Sequence, residues 1–345
     1  MHKPLLSSFA MVCLVASPVS ITTLAHADEY PRTASGKPDF SGRYDIATLT
    51  PYERPQEYGE RQTMSVAQAR ELEQAALGRV VAGDARSDPD RGPPQKGASV
   101  GSYNYAWFDP GSTLFKIDAH YRTSILTDPS NGRLPELSDA GVTRRATLRP
   151  LAHKNTGTAW WMDEGGDPYD NPEGLSMLLR CMYVDVVTVP IRPVVYNNLK
   201  TIIQTDTHLV IHVEWMHWTR IVRMNAPHAP SDMRSLSGDS IGWWEGDTLV
   251  VETTNFLARP GVPRDDLRVV ERFNPATAGS LLYQFTVYDP DYETSYSGEF
   301  PWPRTKAANF EYACHEGNYA MVNTLRGARQ LEQEWREQHA MNPGQ

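Results

Sequence analysis

Past residue 110 the chain alternates apolar and polar positions in short runs, each closed by a turn signal. A period of two is the mark of a strand with one buried face. The runs are Thr113–Asp118, Arg122–Asp128, Met182–Val189, Lys200–Thr205, Leu209–Trp215, Arg220–Met224, Gly242–Glu245, Thr248–Thr254, Leu267–Phe273 and Leu281–Tyr288. Their spacing of about ten residues predicts an antiparallel sheet closing into a barrel or sandwich. Helical patterning is confined to three segments. Ser65 with Gln68 forms a capping-box signal for a helix from Val66 to about Val81. Ser138–Leu148 and Asn323–His339 supply the other two. The predicted class is mainly β (β-rich α+β): an antiparallel barrel with an N-terminal and a C-terminal helix, its meander analogous to lipocalin-like barrels.

The sharpest local signal is Gly238–Phe256, which reads as a β-hairpin. Strand Ile241–Trp244 enters a Glu245-Gly246-Asp247 turn, and Thr248–Thr254 leaves it. Side chains alternate across a strand, so Trp243 and Trp244 must face opposite ways. One joins a core; the other faces solvent, a second layer or a cavity.

The N-terminus changes the picture. A short polar start, a largely apolar Leu5–Leu24 and Ala25-His26-Ala27 make an export signal with cleavage near Ala27. Removing residues 1–27 from the 345 leaves 318, and loss of Lys3 takes the formal charge from −9 to −10. The predicted organisation is a signal at 1–27, an extended and helical segment with a mobile proline-rich loop at 28–100, a β-barrel at 101–320, and a helix and tail at 321–345. An acidic chain without a basic stripe argues against nucleic acid as partner. No later run is apolar enough for stable membrane insertion by a helix. Export to a periplasmic or extracellular compartment permits a Cys181–Cys314 disulfide, the alternative being two buried thiols.

Several motifs fail on context. Gly238–Gly242 matches G-x-S-x-G, but a strand rather than a helix follows Ser240. His315-Glu316 begins like H-E-x-x-H, but Tyr319 stands where the second histidine is needed. No P-loop or dinucleotide fingerprint occurs, so no cofactor is expected. His208, His212, Glu214 and His217 crowd one segment; His208 and His212 lie roughly 13 Å apart along a strand. They hold a metal only with help from other strands. Glu214, His217 and Arg220 are three ionisable groups in apolar company, costly unless paired or used. The expected catalytic set is His217 as general base or acid, Glu214 orienting it, Arg220 holding a carboxylate or oxyanion, and His315 in reserve. A Glu214–Arg220 ion pair is the plain structural alternative. Expected substrate contacts are Trp215, Trp243, Trp244, Arg122 and Tyr312.

WEGDTLVVETTNF, LRVVERF, LLYQFTVYDP and YACHEGNYAMVNTLRGAR, with TPYERP, WFDPGS, RTSILTDPSNGRLPELS and EWMHWTR upstream, resemble a large family of exported bacterial proteins, mostly uncharacterised. The resemblance spans most of residues 40–329 and implies export. From the residues themselves, two functions compete. One is a cofactor-free isomerase, lyase or hydrolase acting on a small, partly apolar molecule in an aromatic-lined pocket. The other is a periplasmic binding or carrier protein for such a ligand. The enzyme requires titratable groups converging with pKa values pushed apart. The carrier requires an apolar pocket with one or two polar anchors.

Overall fold

The computed structural model describes residues 30–86, 88–98, 108–148, 156–166, 168–184, 188–259, 262–264 and 267–341. The segment read as an export signal, residues 1–27, lies outside them. The strands are β1 (Gly42–Asp45), β2 (Thr63–Met64), β3 (Lys116–Ile117), β4 (His120–Arg122), β5 (Leu126–Asp128), β6 (Leu199–Gln204), β7 (His208–Val213) and β8 (Trp218–Met224). After these come β9 (Asp239–Glu245), β10 (Thr248–Thr254), β11 (Phe256–Arg259), β12 (Val262–Arg264), β13 (Arg268–Thr277), β14 (Ser280–Tyr288) and β15 (Tyr296–Pro303). The helices are α1 (Val66–Gly83), α2 (Asp139–Leu148), α3 (Trp161–Glu164) and α4 (Tyr319–Met341). None is long and apolar enough to cross a membrane.

Ten strands form one curled sheet, a half-barrel, in the order β1-β6-β7-β8-β9-β10-β13-β14-β15-β5. All its neighbours are antiparallel except β8 and β9, which run parallel. The two sides of the curl approach at one corner, where Tyr44 bridges Arg304 and Thr305 donates to the Arg43 carbonyl at 2.9 Å. Strand alternation fills the concave side. Phe273, Tyr283, Phe300 and Trp302 are fully or almost fully buried there, with Tyr44, Ile202 and Val251 among them. Ring centroids 4.9–5.8 Å apart tie Phe273, Tyr283, Phe300 and Trp302 into one packed block.

The hairpin forms in the expected register. Thr248 pairs with Glu245, and Gly246 takes φ 63°, which a side chain would disfavour. Trp244 turns inward and stacks on Phe40, while Trp243 turns outward beside Val250. The Ser65–Gln68 capping box starts α1. Ser240 sits inside β9, and its hydroxyl bonds that of Thr253 at 2.8 Å.

Three expectations need correction. Glu214, Trp215 and His217 are not in a strand: β7 stops at Val213, and a tight helical turn over Trp215–His217 leads into β8. The described part of Met182–Val189 is turn and irregular chain, because a φ of 57° at Cys181 breaks extension there. Arg122–Asp128 is split, with Arg122 ending β4 in a small separate sheet and Leu126 starting β5. In the proline-rich stretch from Asp84, Lys96 makes a surface ion pair with Glu334 on α4. Strand β15 was hidden by Gly298, Pro301 and Pro303. It tolerates the prolines because β5 covers it only at Ser297 and Gly298, leaving an open edge beyond.

Candidate functional site

A group of titratable side chains gathers where β1, β6 and the β7–β8 corner meet. Alternation along β6 turns Lys200 inward with Ile202, and Lys200 is fully buried between Tyr44 and Val213. Among the described residues its ammonium has only long contacts, 3.4 Å to the Asn197 carbonyl and 3.5 Å to that of Leu199. Burial away from water drives the Lys200 pKa down to about 7, against the opposing pull of the Glu214 and Asp45 carboxylates. Burial, joined by repulsion from Asp45 and Glu214, raises the Asp109 carboxyl, while the Gly111 N–H works the other way. His212 is lowered, by burial first and then by His217; Glu214 opposes, and Lys200 adds to the fall.

Glu214 is 4% exposed and accepts the Phe310 N–H at 2.8 Å. Met216 and His217 are consecutive non-glycine residues with φ of 61° and 52°. Such backbone costs on the order of 1–3 kcal/mol per residue and persists only where surroundings enforce it. A strap enforces it here. Between β15 and α4 the chain crosses the corner, with Asn309 donating to the Thr201 hydroxyl at 3.0 Å and Tyr312 donating its N–H to His217 Nε2 at 2.6 Å. That contact places the proton of a neutral His217 ring on Nδ1. The Cys181–Cys314 disulfide, Cα atoms 5.8 Å apart, fastens the far end of the strap. Beneath it, Trp215, Tyr196, Trp218, Met216 and Tyr312 pack around Val213. Trp215 Nε1 is buried with no hydrogen-bond partner among the described residues.

Sequence-expected residues separate into three places. Glu214, Trp215, His217 and Tyr312 meet at this corner, with Cys181 and Cys314 holding it. His315 follows in an exposed turn of the strap, away from the buried groups in accessibility. Arg220 faces the concave core and makes a two-pronged ion pair with Glu271 at 2.7 and 3.0 Å, so the Glu214–Arg220 pair does not form. Glu271 also accepts the Tyr283 hydroxyl at 2.6 Å, which completes a buried structural network. Trp244 belongs to the core. Trp243 stands on the outer face of the main sheet, and Arg122, on the small separate sheet, pairs with Glu299.

No family model matches the chain, and no curated protein matches it. The chemistry must therefore be read from the corner itself. Lys200 and Asp109 were missed by sequence reasoning. The signal for Lys200 was present: period-two reading of Lys200–Thr205 puts the lysine on the face of Ile202. Burial thus lowers the lysine and raises the carboxyl, each away from its ordinary value.

Proposed function

We propose that the protein is a cofactor-free acid–base enzyme, an isomerase, lyase or hydrolase, working at the β7–β8 corner on a small, partly apolar molecule. The observation carrying this reading is Lys200: a fully buried amine poised near neutrality, acted on by the Glu214 and Asp45 carboxylates, with no hydrogen bond shorter than 3.4 Å among the described residues. In this reading Lys200 takes or gives the proton and Glu214 sets its electrostatics. His217 positions the strap through the Tyr312 N–H and offers Nδ1–H outward. The orphaned Trp215 N–H would be satisfied by a substrate acceptor. Phe310, 73% exposed beside Glu214, supports a ligand with an apolar part. A lipocalin-like scaffold belongs to this proposal, supported by the approach of β1 to β15 at Tyr44 and Arg304. Membership of the exported family and periplasmic residence belong to it too, supported by the disulfide.

The test is turnover of a panel of small aromatic and terpenoid esters, enones and hydroxy acids, followed by proton NMR. Lys200→Met and Glu214→Gln should each cost two or more decades of rate with circular dichroism unchanged. Turnover that survives both replacements would sink the assignment. Saturable binding without turnover would favour the carrier instead.

A further inference from the structure

The solvent face of the sheet carries a second feature, remote from the corner in its residues and chemistry. Cross-strand pairing sets Arg272 opposite Gln284 and Gln284 opposite Glu299. One pleat away, Val270 lies opposite Thr286 and Thr286 opposite Ser297. Thr127 closes the end at β5. Between these two rows lies a cavity of about 220 Å³. Its walls alternate donors, acceptors and groups that are both. Gln284 donates to Glu299 at 2.9 Å and accepts from Asn274 at 3.1 Å. The Thr286 and Ser297 hydroxyls meet at 2.9 Å. Arg122 anchors Glu299 from behind.

The first row continues sideways to an indole. Arg272 lies opposite Val250, and Val250 opposite Trp243. Glu245 joins them, accepting from Trp243 Nε1 at 3.1 Å and from Arg272 at 2.8 Å. A flat aromatic ring thus stands beside a row of guanidinium, carboxamide and carboxylate. Such a mixture suits a ligand whose every edge is both donor and acceptor, with an apolar face to lie on the ring. An isolated anion would meet Glu299 and Glu245 as well as Arg272. A hydrocarbon would offer these polar walls no further hydrogen bond in exchange for the water it displaces. The volume is below the range of about 300–1,000 Å³ that holds drug-sized ligands, which limits the occupant to about one ring.

We propose that this groove binds a single sugar ring, free or as one unit of a larger glycan, with Arg272, Gln284, Glu299 and Thr286 bonding the hydroxyls and Trp243 flanking them. The test is saturation-transfer NMR on the full mature chain with glucose, galactose, N-acetylglucosamine and glucuronate as probes, alongside the variants Arg272→Ala and Gln284→Ala. Both residues lie on the solvent face, so the fold is expected to survive, as circular dichroism would verify. At least one probe should show transfer, and its binding should weaken about tenfold in one variant or both. A shift of the Trp243 indole resonance should accompany it. Absence of transfer from every probe, or binding unaltered in both variants, would overturn the proposal. The assay reads binding alone, so its outcome is separable from any loss of catalysis at Lys200.

Discussion

Replacing Lys200 by Met should remove a rise of stability with pH. In the fold its pKa falls from 10.5 to about 7, so between those limits the unfolded chain holds the proton more tightly than the native one. Stability then increases with pH wherever the unfolded state binds more protons. With those two values, native Lys200 costs about 4 kcal/mol at pH 7 and about 2 kcal/mol at pH 9, a gain of about 2 kcal/mol across the interval. The upper limit is set by tyrosine. Burial pushes Tyr52 up to about 12 and holds Tyr44 and Tyr296 higher still, whereas unfolded tyrosines ionise near 10, an effect of opposite sign. The assay is urea unfolding of wild type and Lys200→Met at pH 7, 8 and 9 with the disulfide intact. Only the difference between the two curves matters, because titrations unrelated to Lys200 cancel in it. The gap should close by about 2 kcal/mol toward pH 9 in favour of the wild type. Parallel curves would mean that the amine is solvated or fully charged in the native state, and the proposed acid–base role would go with it.

Other consequences are open to direct measurement. Cys181→Ser should lower stability by up to about 4–5 kcal/mol in the chain-entropy picture, read in chemical denaturation, and should speed hydrogen exchange at the Phe310 and Tyr312 amides; unaltered exchange would show that the strap holds without the bond. Arg220→Met should cost about 3–5 kcal/mol by stranding Glu271 in the core, and adding Glu271→Leu should recover much of that loss in chemical denaturation. Burial acts to raise Asp239, but the Ala229 N–H, His228 and Arg223 outweigh it and hold the carboxyl below 3.8. Its stabilising contribution is therefore present above that value and fades as pH falls through the native pKa, so Asp239→Asn should flatten the acid limb of the thermal stability curve.

Strand alternation was legible because one face of each strand is buried in an apolar core. That is why the hairpin, the opposed Trp243 and Trp244, and most strands of the main sheet stand near their expected positions. The disulfide followed from counting cysteines in a chain read as exported. The corner was only half legible. Glu214 and His217 stood out as charges among Ile, Val and Trp, but the turn that takes them out of the strand depends on hydrogen bonds from Phe310 and Tyr312, which lie about a hundred residues away. Arg220 was misread for the same reason: its partner Glu271 sits three strands further round the curl, where local sequence carries no trace of it. Asp45 approaches Lys200, and Asp109 approaches Asp45 and Glu214, through tertiary folding alone.

The order of strands in the half-barrel has a kinetic meaning. Strands β13, β14 and β15 are successive hairpins, as are β6 with β7 and β9 with β10, so these pairs close over short loops. Strand β1 must instead find β6 across more than a third of the chain, and the strap must return from beyond β15 to the β7–β8 corner. Long-range closures of this kind are slow compared with local ones. The β6–β7 hairpin brings Lys200 and Glu214 together early, but Asp45 and the strap contact at His217 join them only by those late events. A chain arrested after its hairpins have formed would carry most of the sheet, and would lack the assembled corner.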